Sequence, residues 1–441
     1  MFFDRKCPDL PDFCALCART VQNFLGMKRI FSMALACVFA LPQLAEAQKI
    51  STKKLKKHIT FLAADDLHGR GTGSDDEMKA ANYIVEQFKE IGLAPKGNNG
   101  TWFNDFEFHK SNDPHGTVSN DGPLVHARNV CGYLDNGAPT TIIIGAHYDH
   151  LGLGHDHNSL DANPDGKIHN GADDNASGTA GVIEMARFFA KNKEKERHNF
   201  LFVCFSGEEL GLIGSKKFTE NPTLDLKAVD YMVNMDMIGR LNPKKKTLVV
   251  GGVGTSPTWV PAINAVPHPD FSVKLDSAGI GPSDHTSFYL KNMPVLFLFT
   301  GQHSDYHKPS DDVEKINFKG EKSVLEWGIK LLAFVEKTAP PRLVFQETKS
   351  NEADTPRFKV TLGIMPDYTY EGTGVHVDGV TEGKPAAKAG IQKGDIIRKL
   401  GDVDVTDIHA YMKGLAMFKK GDSTKVIVER MGKFFDLNVT F

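Results

Sequence analysis

The chain has 441 residues, 41% of them hydrophobic and 24% charged, with a formal net charge of −3. That length accommodates two domains at roughly 100–200 residues each. The near-neutral balance gives no support for nucleic acid or an anionic membrane surface as a partner.

The N-terminus reads as a targeting signal. Lys28 and Arg29 precede an apolar run from Ile30 to Leu41, and Ala45-Glu46-Ala47 offers a small-x-small cleavage site. This is the pattern of a secretory signal cut after Ala47, so the mature protein is expected to be exported to a periplasmic or extracellular space. The apolar run is too short for a permanent membrane span. Met27 stands directly before the charged segment, and residues 1–26 are expected to be an over-extended gene start. Lipoprotein processing at Cys37 fits less well, because Ala34 is a poor residue for that motif. Cys7, Cys14, Cys17 and Cys37 fall in the segment expected to be lost, while Cys131 and Cys204 remain. Cys204 sits inside an apolar run and is read as a buried free thiol. Export is thus argued from the signal, not from disulfides.

From residue 48 to 340 strands and helices alternate. Ile50, Leu55, Ile59 and Leu62 share one helical face, and Lys53, Lys54, Lys56 and Lys57 the solvated one. Met78–Ile91 repeats apolar residues at helical spacing and is stopped by Gly92. Thr140–Gly145 is a continuous β-branched run, as in a strand buried on both faces. Gly178–Lys191 predicts a helix, Phe200–Phe205, Tyr231–Met235 and Pro294–Phe299 further buried strands, and Ser323–Val335 a closing helix. The fold class is therefore α/β, a three-layer α/β/α domain around a largely parallel mixed sheet. Pro340 and Pro341 open a linker over 341–357. Residues 358–441 change character to short strands, many glycines and little helix.

Chemistry-bearing residues stand where the strands run out: His147 in GAHYDH, Asp174 in GADDNASG, Glu208 and Glu209 in SGEELG, Asp236 in NMDMIG and His307 in DYHKPSDD. A lone His or Asp in such a place is more often structural. Five possible ligands in glycine-punctuated turns, all expected at one edge of one sheet, reverse that reading. Two imidazoles and three carboxylates suit a paired zinc site, with Glu208 as a spare carboxylate for acid–base work. His150, His155, His157 and His169 crowd a polar, glycine-rich loop and are expected to be solvated. Ser283-Asp284-His285 is too contiguous for a hydrolase triad. Gly251-Gly252-Val253-Gly254 lacks the third glycine of a dinucleotide fingerprint.

The ordered blocks His147-x-Asp149, Gly171–Gly178, Glu208-Glu209, Asp236 and His307-x-Pro309-x-Asp311 resemble the dizinc metallopeptidases of family twenty-eight, which include bacterial leucyl aminopeptidases and glutamate carboxypeptidases. The resemblance implies two Zn2+ ions, one held by His147 and Asp236, the other by Glu209 and His307, with Asp174 bridging in preference to Asp173. It implies an exported aminopeptidase that hydrolyses N-terminal residues from peptides, with water activated by the metals and Glu208. Asp149 would orient His147, and Asp284 and His285 would lie near the substrate pocket. A carboxypeptidase or dipeptidase of the same fold is the alternative, or an inert peptidase domain beside a peptide-binding module. Glutaminyl cyclases share the fold but resemble single-zinc versions lacking part of this ligand set. Residues 358–441, with Leu362-Gly363-Ile364-Met365, Pro385-Ala386-x-x-Ala389-Gly390 and Gly394-Asp395-x-Ile397, resemble a PDZ domain of the bacterial protease-associated type. That implies a peptide C-terminus as partner, received by backbone N–H groups of Leu362–Met365.

Overall fold

The computed structural model describes residues 49–110, 122–156, 158–348, 360–367, 370, 372–381 and 383–441. The leader expected over residues 1–47 lies outside the described residues, as do residues 349–357 of the expected linker and His157.

Helix α1 (Thr52–Leu62) is capped by Ser51 and buries Leu55, Ile59 and Leu62, leaving its lysines outward. Helix α2 (Asp75–Ile91) begins three residues before the apolar periodicity does. Ser74 Oγ accepts the Glu77 N–H at 3.0 Å and Glu77 Oε2 accepts the Gly73 N–H at 2.6 Å, a reciprocal cap that starts the helix early. Gly92, at φ +97°, ends it.

The strands and helices that follow are β1 (Ala94–Pro95), β2 (Phe103–His109), β3 (Leu124–Leu134), β4 (Thr141–His147), α3 (Gly178–Lys191), β5 (Asn199–Phe205), α4 (Ile213–Glu220), β6 (Val229–Met235), β7 (Thr247–Gly251), α5 (Trp259–Ala265), β8 (Ser272–Leu275), α6 (His285–Tyr289), β9 (Val295–Phe299) and α7 (Phe318–Thr338). Helix α7 starts five residues before the predicted Ser323, because Asn317 caps it by accepting the Gly320 N–H at 3.0 Å.

Nine strands form one mixed sheet in the order β1-β3-β5-β4-β6-β9-β7-β8, with β2 paired to β3. The centre, β5-β4-β6-β9, is parallel; β3 and β7 join its two sides antiparallel. Every residue of β4, β5 and β6 is buried, because helices cover both faces. Alternation along β4 assigns the layers: Ile142 and Ile144 pack with residues of α1, α2, α3 and α7, whereas Ile143 packs with Phe218 of α4 and Phe288 of α6. Among the described residues, no helix is long and apolar enough to cross a membrane.

The C-terminal region is built from β10 (Ile364–Pro366), β11 (Val375–Val380), α8 (Pro385–Ala389), β12 (Ile396–Leu400), β13 (Val403–Asp404), α9 (Ile408–Ala416), β14 (Ser423–Arg430) and β15 (Lys433–Thr440). All its strand pairs are antiparallel, and Leu362, Val377, Ile397 and Val426 lie in a core of its own. Polar contacts among the described residues tie it to the rim of the larger sheet. Lys245 Nζ lies 2.9 Å from Asp367 Oδ2, and Lys274 Nζ donates to the Tyr370 carbonyl at 2.6 Å.

Candidate metal centre

Three adjacent strands deliver most of the chemistry. His147 is the last residue of β4, Asp236 follows β6, and Glu208 and Glu209 lie in the turn after β5. Because β4 runs between β5 and β6, these side chains meet at one sheet edge, the carboxyl ends where ligands of open α/β sheets collect. Asp174 enters from the irregular turn before α3, and His307 from the loop after β9.

Two groups of donor atoms share Asp174. His147 Nε2 is 3.2 Å from Asp174 Oδ1 and 3.4 Å from Asp236 Oδ1. His307 Nε2 is 3.3 Å from Asp174 Oδ2 and 3.0 Å from Glu209 Oε2. Each oxygen of Asp174 thus faces a different imidazole. Glu208 Oε2 stands farther off, 3.9 Å from His147 Nε2. His147, Asp174 and Asp236 are buried; Glu208, Glu209 and His307 are half-buried.

These residues fit a pair of divalent cations. Donors on a tetrahedral zinc at about 2.1 Å lie about 3.4 Å apart, close to all four separations above. His147 Nε2 and Asp236 Oδ1 are buried with no hydrogen-bond partner among the described residues. Such atoms are costly unless something of opposite character meets them. Charge points the same way. Burial pulls the His147 pKa down, but Asp236, Glu208, Asp149 and Asp174 outweigh it and hold the ring well above its usual range. Burial likewise opposes protonation of His307, and Glu209 and Asp174 override it. Burial, reinforced by Asp236 and Glu209, drives Glu208 well above the ordinary carboxylate range. The site thus balances its carboxylates with protonated imidazoles and a protonated Glu208, a balance that two bound cations would supply instead.

Neighbouring groups aim the donors. His147 Nδ1 is 3.2 Å from the Asp149 carbonyl oxygen and His307 Nδ1 is 2.9 Å from the Asn158 carbonyl oxygen, so each ring can donate there and leave Nε2 its lone pair. The Asp149 carboxylate is 3.6 Å from His147 and is engaged elsewhere, accepting Thr72 Oγ1 at 2.8 Å and the Glu208 N–H at 3.2 Å. Asp311 Oδ2 accepts the N–H groups of both Asp173 and Asp174 at 3.0 Å. Asp173 turns away, accepting the Gly239 N–H at 2.7 Å and lying 3.1 Å from His303 Nε2.

Several participants escaped the sequence reading. His150, expected to be solvated, is buried, with Nδ1 2.7 Å from Glu209 Oε1. His150, Asp174 and Glu209 also bring donor atoms within 4.8 Å of one another. His150 Nδ1 is 3.9 Å from Asp174 Oδ2, against 3.3 Å for His307 Nε2, and its 2.7 Å separation from Glu209 is that of a hydrogen bond. His169 is buried too, 2.7 Å from Ser159 Oγ, while His155 is exposed. The loop folds back through Gly152 N–H to the Gly69 carbonyl and His169 N–H to the Gly152 carbonyl, which is why His150 and His169 leave solvent. Ser283 Oγ donates to Asp236 Oδ2 at 2.8 Å and accepts from Asn234 Nδ2 at 2.8 Å. Arg70, fully buried, donates to the carbonyls of Tyr148 at 2.8 Å, Asn170 at 2.6 Å and Gly171 at 3.1 Å, and to Leu62, clamping the loops that carry His147 and Asp174.

A cleft of about 430 Å³ opens over Asp174, Glu208, Asp236 and His307, with Met237, Phe297, Phe299 and Tyr306 among its walls. Charged donors on its floor and apolar side chains on its walls are the lining of a ligand cleft. In the C-terminal region, Leu362 is buried in the core and Gly363 has φ +76°, where an added Cβ would lie 2.2 Å from Lys384 Cβ. Only glycine fits that bend. The Gly363 N–H donates to Thr361 Oγ1 at 3.1 Å.

Residues 129–330 match the sequence profile of "Peptidase family M28", and residues 346–441 that of "PDZ domain". The chain carries an M28-family peptidase domain followed by a PDZ domain. It is 23% identical over 303 residues to the "Probable leucine aminopeptidase" of Arthroderma otae, covering 66% of this chain and 73% of that protein. For the next curated relatives, the alignments span about half of their length or less. In three dimensions it resembles BSAP, a zinc aminopeptidase from Bacillus subtilis, at TM-score 0.53 and 16% identity, over 68% of this chain and 100% of the other. It resembles a glutaminyl cyclase from Bacteroides thetaiotaomicron at TM-score 0.50 and 17% identity, over 65% of this chain and 98% of the other. At these identities the likeness is one of fold. The M28 domain accounts for the mixed sheet flanked by helices, and the PDZ domain for the small antiparallel unit.

Proposed function

We propose that the chain is an exported zinc-dependent aminopeptidase that removes N-terminal residues from peptides. The observation that carries this reading is the division of labour in the cleft: Asp174 faces two imidazoles with its two oxygens, while Glu208 stands apart from both groups. His147 and Asp236 would hold one zinc, Glu209 and His307 the other, and Asp174 would bridge them. Bound zinc would supply polarisation of the peptide carbonyl and a lowered pKa for water.

The chain's own residues would do the rest. Glu208 takes a proton from the attacking water and passes it to the departing amine. Asp149 steadies that base by accepting the Glu208 N–H, and is itself held by the Thr72 hydroxyl, which donates to it. Met237, Phe297 and Phe299 offer an apolar wall that excludes water and receives the side chain of the residue to be removed. The five-donor set with a separate glutamate favours a peptidase over a glutaminyl cyclase of the same fold. Leucine aminopeptidase relatives favour the N-terminal end of the peptide as the one attacked. The PDZ domain would receive a peptide C-terminus at Leu362–Met365.

The test is hydrolysis of a free-amine peptide beside its N-acetylated form by the zinc-loaded chain. Cleavage of the free amine alone is expected; equal cleavage of both would sink the aminopeptidase reading.

A further inference from the structure

A second cavity adjoins the cleft, and its outer wall does not belong to the M28 domain. Its space, about 420 Å³ counted with the part open to solvent, shares Pro282, Phe297 and Phe299 with the cleft over the candidate metal centre. Ile280 lines the M28 side, and Ile408 and Met412 of α9 line the PDZ side. Those two side chains are half-buried, one helical turn apart, and lie on the same face of α9. Tyr411 and Leu415 of the same helix are buried in the PDZ core, and Ile408 and Met412 pack against that core with part of their surface while also lining the cavity.

The cavity is apolar where it meets the cleft. His285 lies in its lining with its ring stacked on Phe297, centroids 4.5 Å apart and planes at 12°. Burial lowers the pKa of His285 to about 3, so the ring is neutral and adds no charge. The PDZ domain meets the large sheet through Lys245, before β7, with Asp367 and through Lys274 of β8 with the Tyr370 carbonyl, both partners lying after β10.

We infer that Ile408 and Met412 of the PDZ domain form the outer wall of an apolar subsite of the peptidase cleft, and so select a bulky apolar side chain in the substrate residue received there. The inference rests on the peptidase reading above. It gives the PDZ domain a share in the substrate site itself, whether or not it also binds a free peptide C-terminus. A wall of this kind acts through contact area. Each methylene of the substrate that it covers is worth about tenfold in discrimination.

The test reads binding without turnover. Leucine amide and alanine amide are titrated by calorimetry into the zinc-loaded full chain carrying Glu208→Gln, alone and combined with Met412→Ala, Met412→Trp, Ile408→Ala or the exposed control Lys413→Ala. Leucine amide is expected to bind more tightly than alanine amide, with the preference reduced about tenfold by Met412→Ala and Met412→Trp, less by Ile408→Ala, and kept in the Lys413→Ala control. The ratio within each variant cancels a general loss of binding, and two opposite changes at Met412 guard against a misfolded variant. An unchanged ratio in all of the wall variants overturns the inference, as does a parent with no preference or no binding. The parallel peptide assay separates the two claims: loss of the preference at Met412 in a chain that cleaves no peptide would leave the subsite standing and remove the aminopeptidase.

Discussion

Glu208 and Glu209 are consecutive residues whose carboxylates serve different partners: Glu208 Oε2 lies 3.9 Å from His147 Nε2, whereas Glu209 Oε2 lies 3.0 Å from His307 Nε2. The sequence reading attributes their divergence to the alternation of a strand end. In the structure both sit in the turn after β5, where Gly207, at φ +70°, redirects the chain. Turn geometry, not the pleat, parts the expected base from the expected ligand.

Glu208→Gln keeps the size and the turn but removes the basic oxygen. Zinc content is expected to match the parent, with kcat lowered about 10²- to 10⁴-fold. Metal analysis and steady-state kinetics on the same preparation check both halves. Retained turnover would show that another group takes the proton.

Ser283 touches no expected substrate atom, yet its hydroxyl holds Asp236 Oδ2. Removing such an outer hydrogen bond commonly costs about 10- to 100-fold in metal affinity. Ser283→Ala is therefore expected to weaken one zinc by that amount in a chelator competition, with activity largely restored by excess zinc. Unaltered affinity for both ions would reduce Ser283 to a packing residue.

Arg70 is a stability residue placed under the site. Burial lowers its pKa to about 10, so it stays charged at neutral pH, supported by Asp149, Asp174, Asp311 and Glu209. Arg70→Met frees several buried carbonyls and is expected to destabilise the fold by at least about 3 kcal/mol. Urea denaturation of the zinc-loaded variant reads this. A loss below about 1 kcal/mol would mean that the loops hold without the clamp.

How much of this was legible in the residues follows from what each signal is made of. The buried strands showed as unbroken apolar runs, and the expected ligands as His, Asp and Glu at the ends of those runs, so β4, β5, β6 and the groups beyond them could be placed by pattern. The polar, amphipathic β2 and the short edge strand β8 carry no such run and were missed. Ser283 and Arg70 act on groups distant in sequence, 47 residues away for Asp236 and 78 for the Tyr148 carbonyl. No local pattern encodes that reach. His150 and His169 were misread because a polar loop does not announce that it will fold back under the site.

Glu321 offers a pH test away from the cleft. It is fully buried in α7 and neither carboxyl oxygen has a hydrogen-bond partner among the described residues. Burial, then Asp173 and Glu184, raise its pKa well above the ordinary value. The folded chain thus keeps a proton that the unfolded chain releases above about pH 4.3. The stability from this group is full below that pH and falls as pH rises toward the folded pKa. Glu321→Met should stabilise the protein by roughly 1 to 4 kcal/mol at pH 8, with a smaller gain at pH 4. Thermal melts at both pH values check it, and an equal shift at the two would contradict the buried-proton account.

The claim that two zinc ions share Asp174 is tested most directly by zinc content per chain after equilibration and removal of free metal. Two zinc ions are expected in the parent, one in Glu209→Ala, and fewer than one in Asp174→Ala, measured on chains whose folded state is verified by circular dichroism. Two ions retained in Asp174→Ala, or one at most in the parent, would contradict the account.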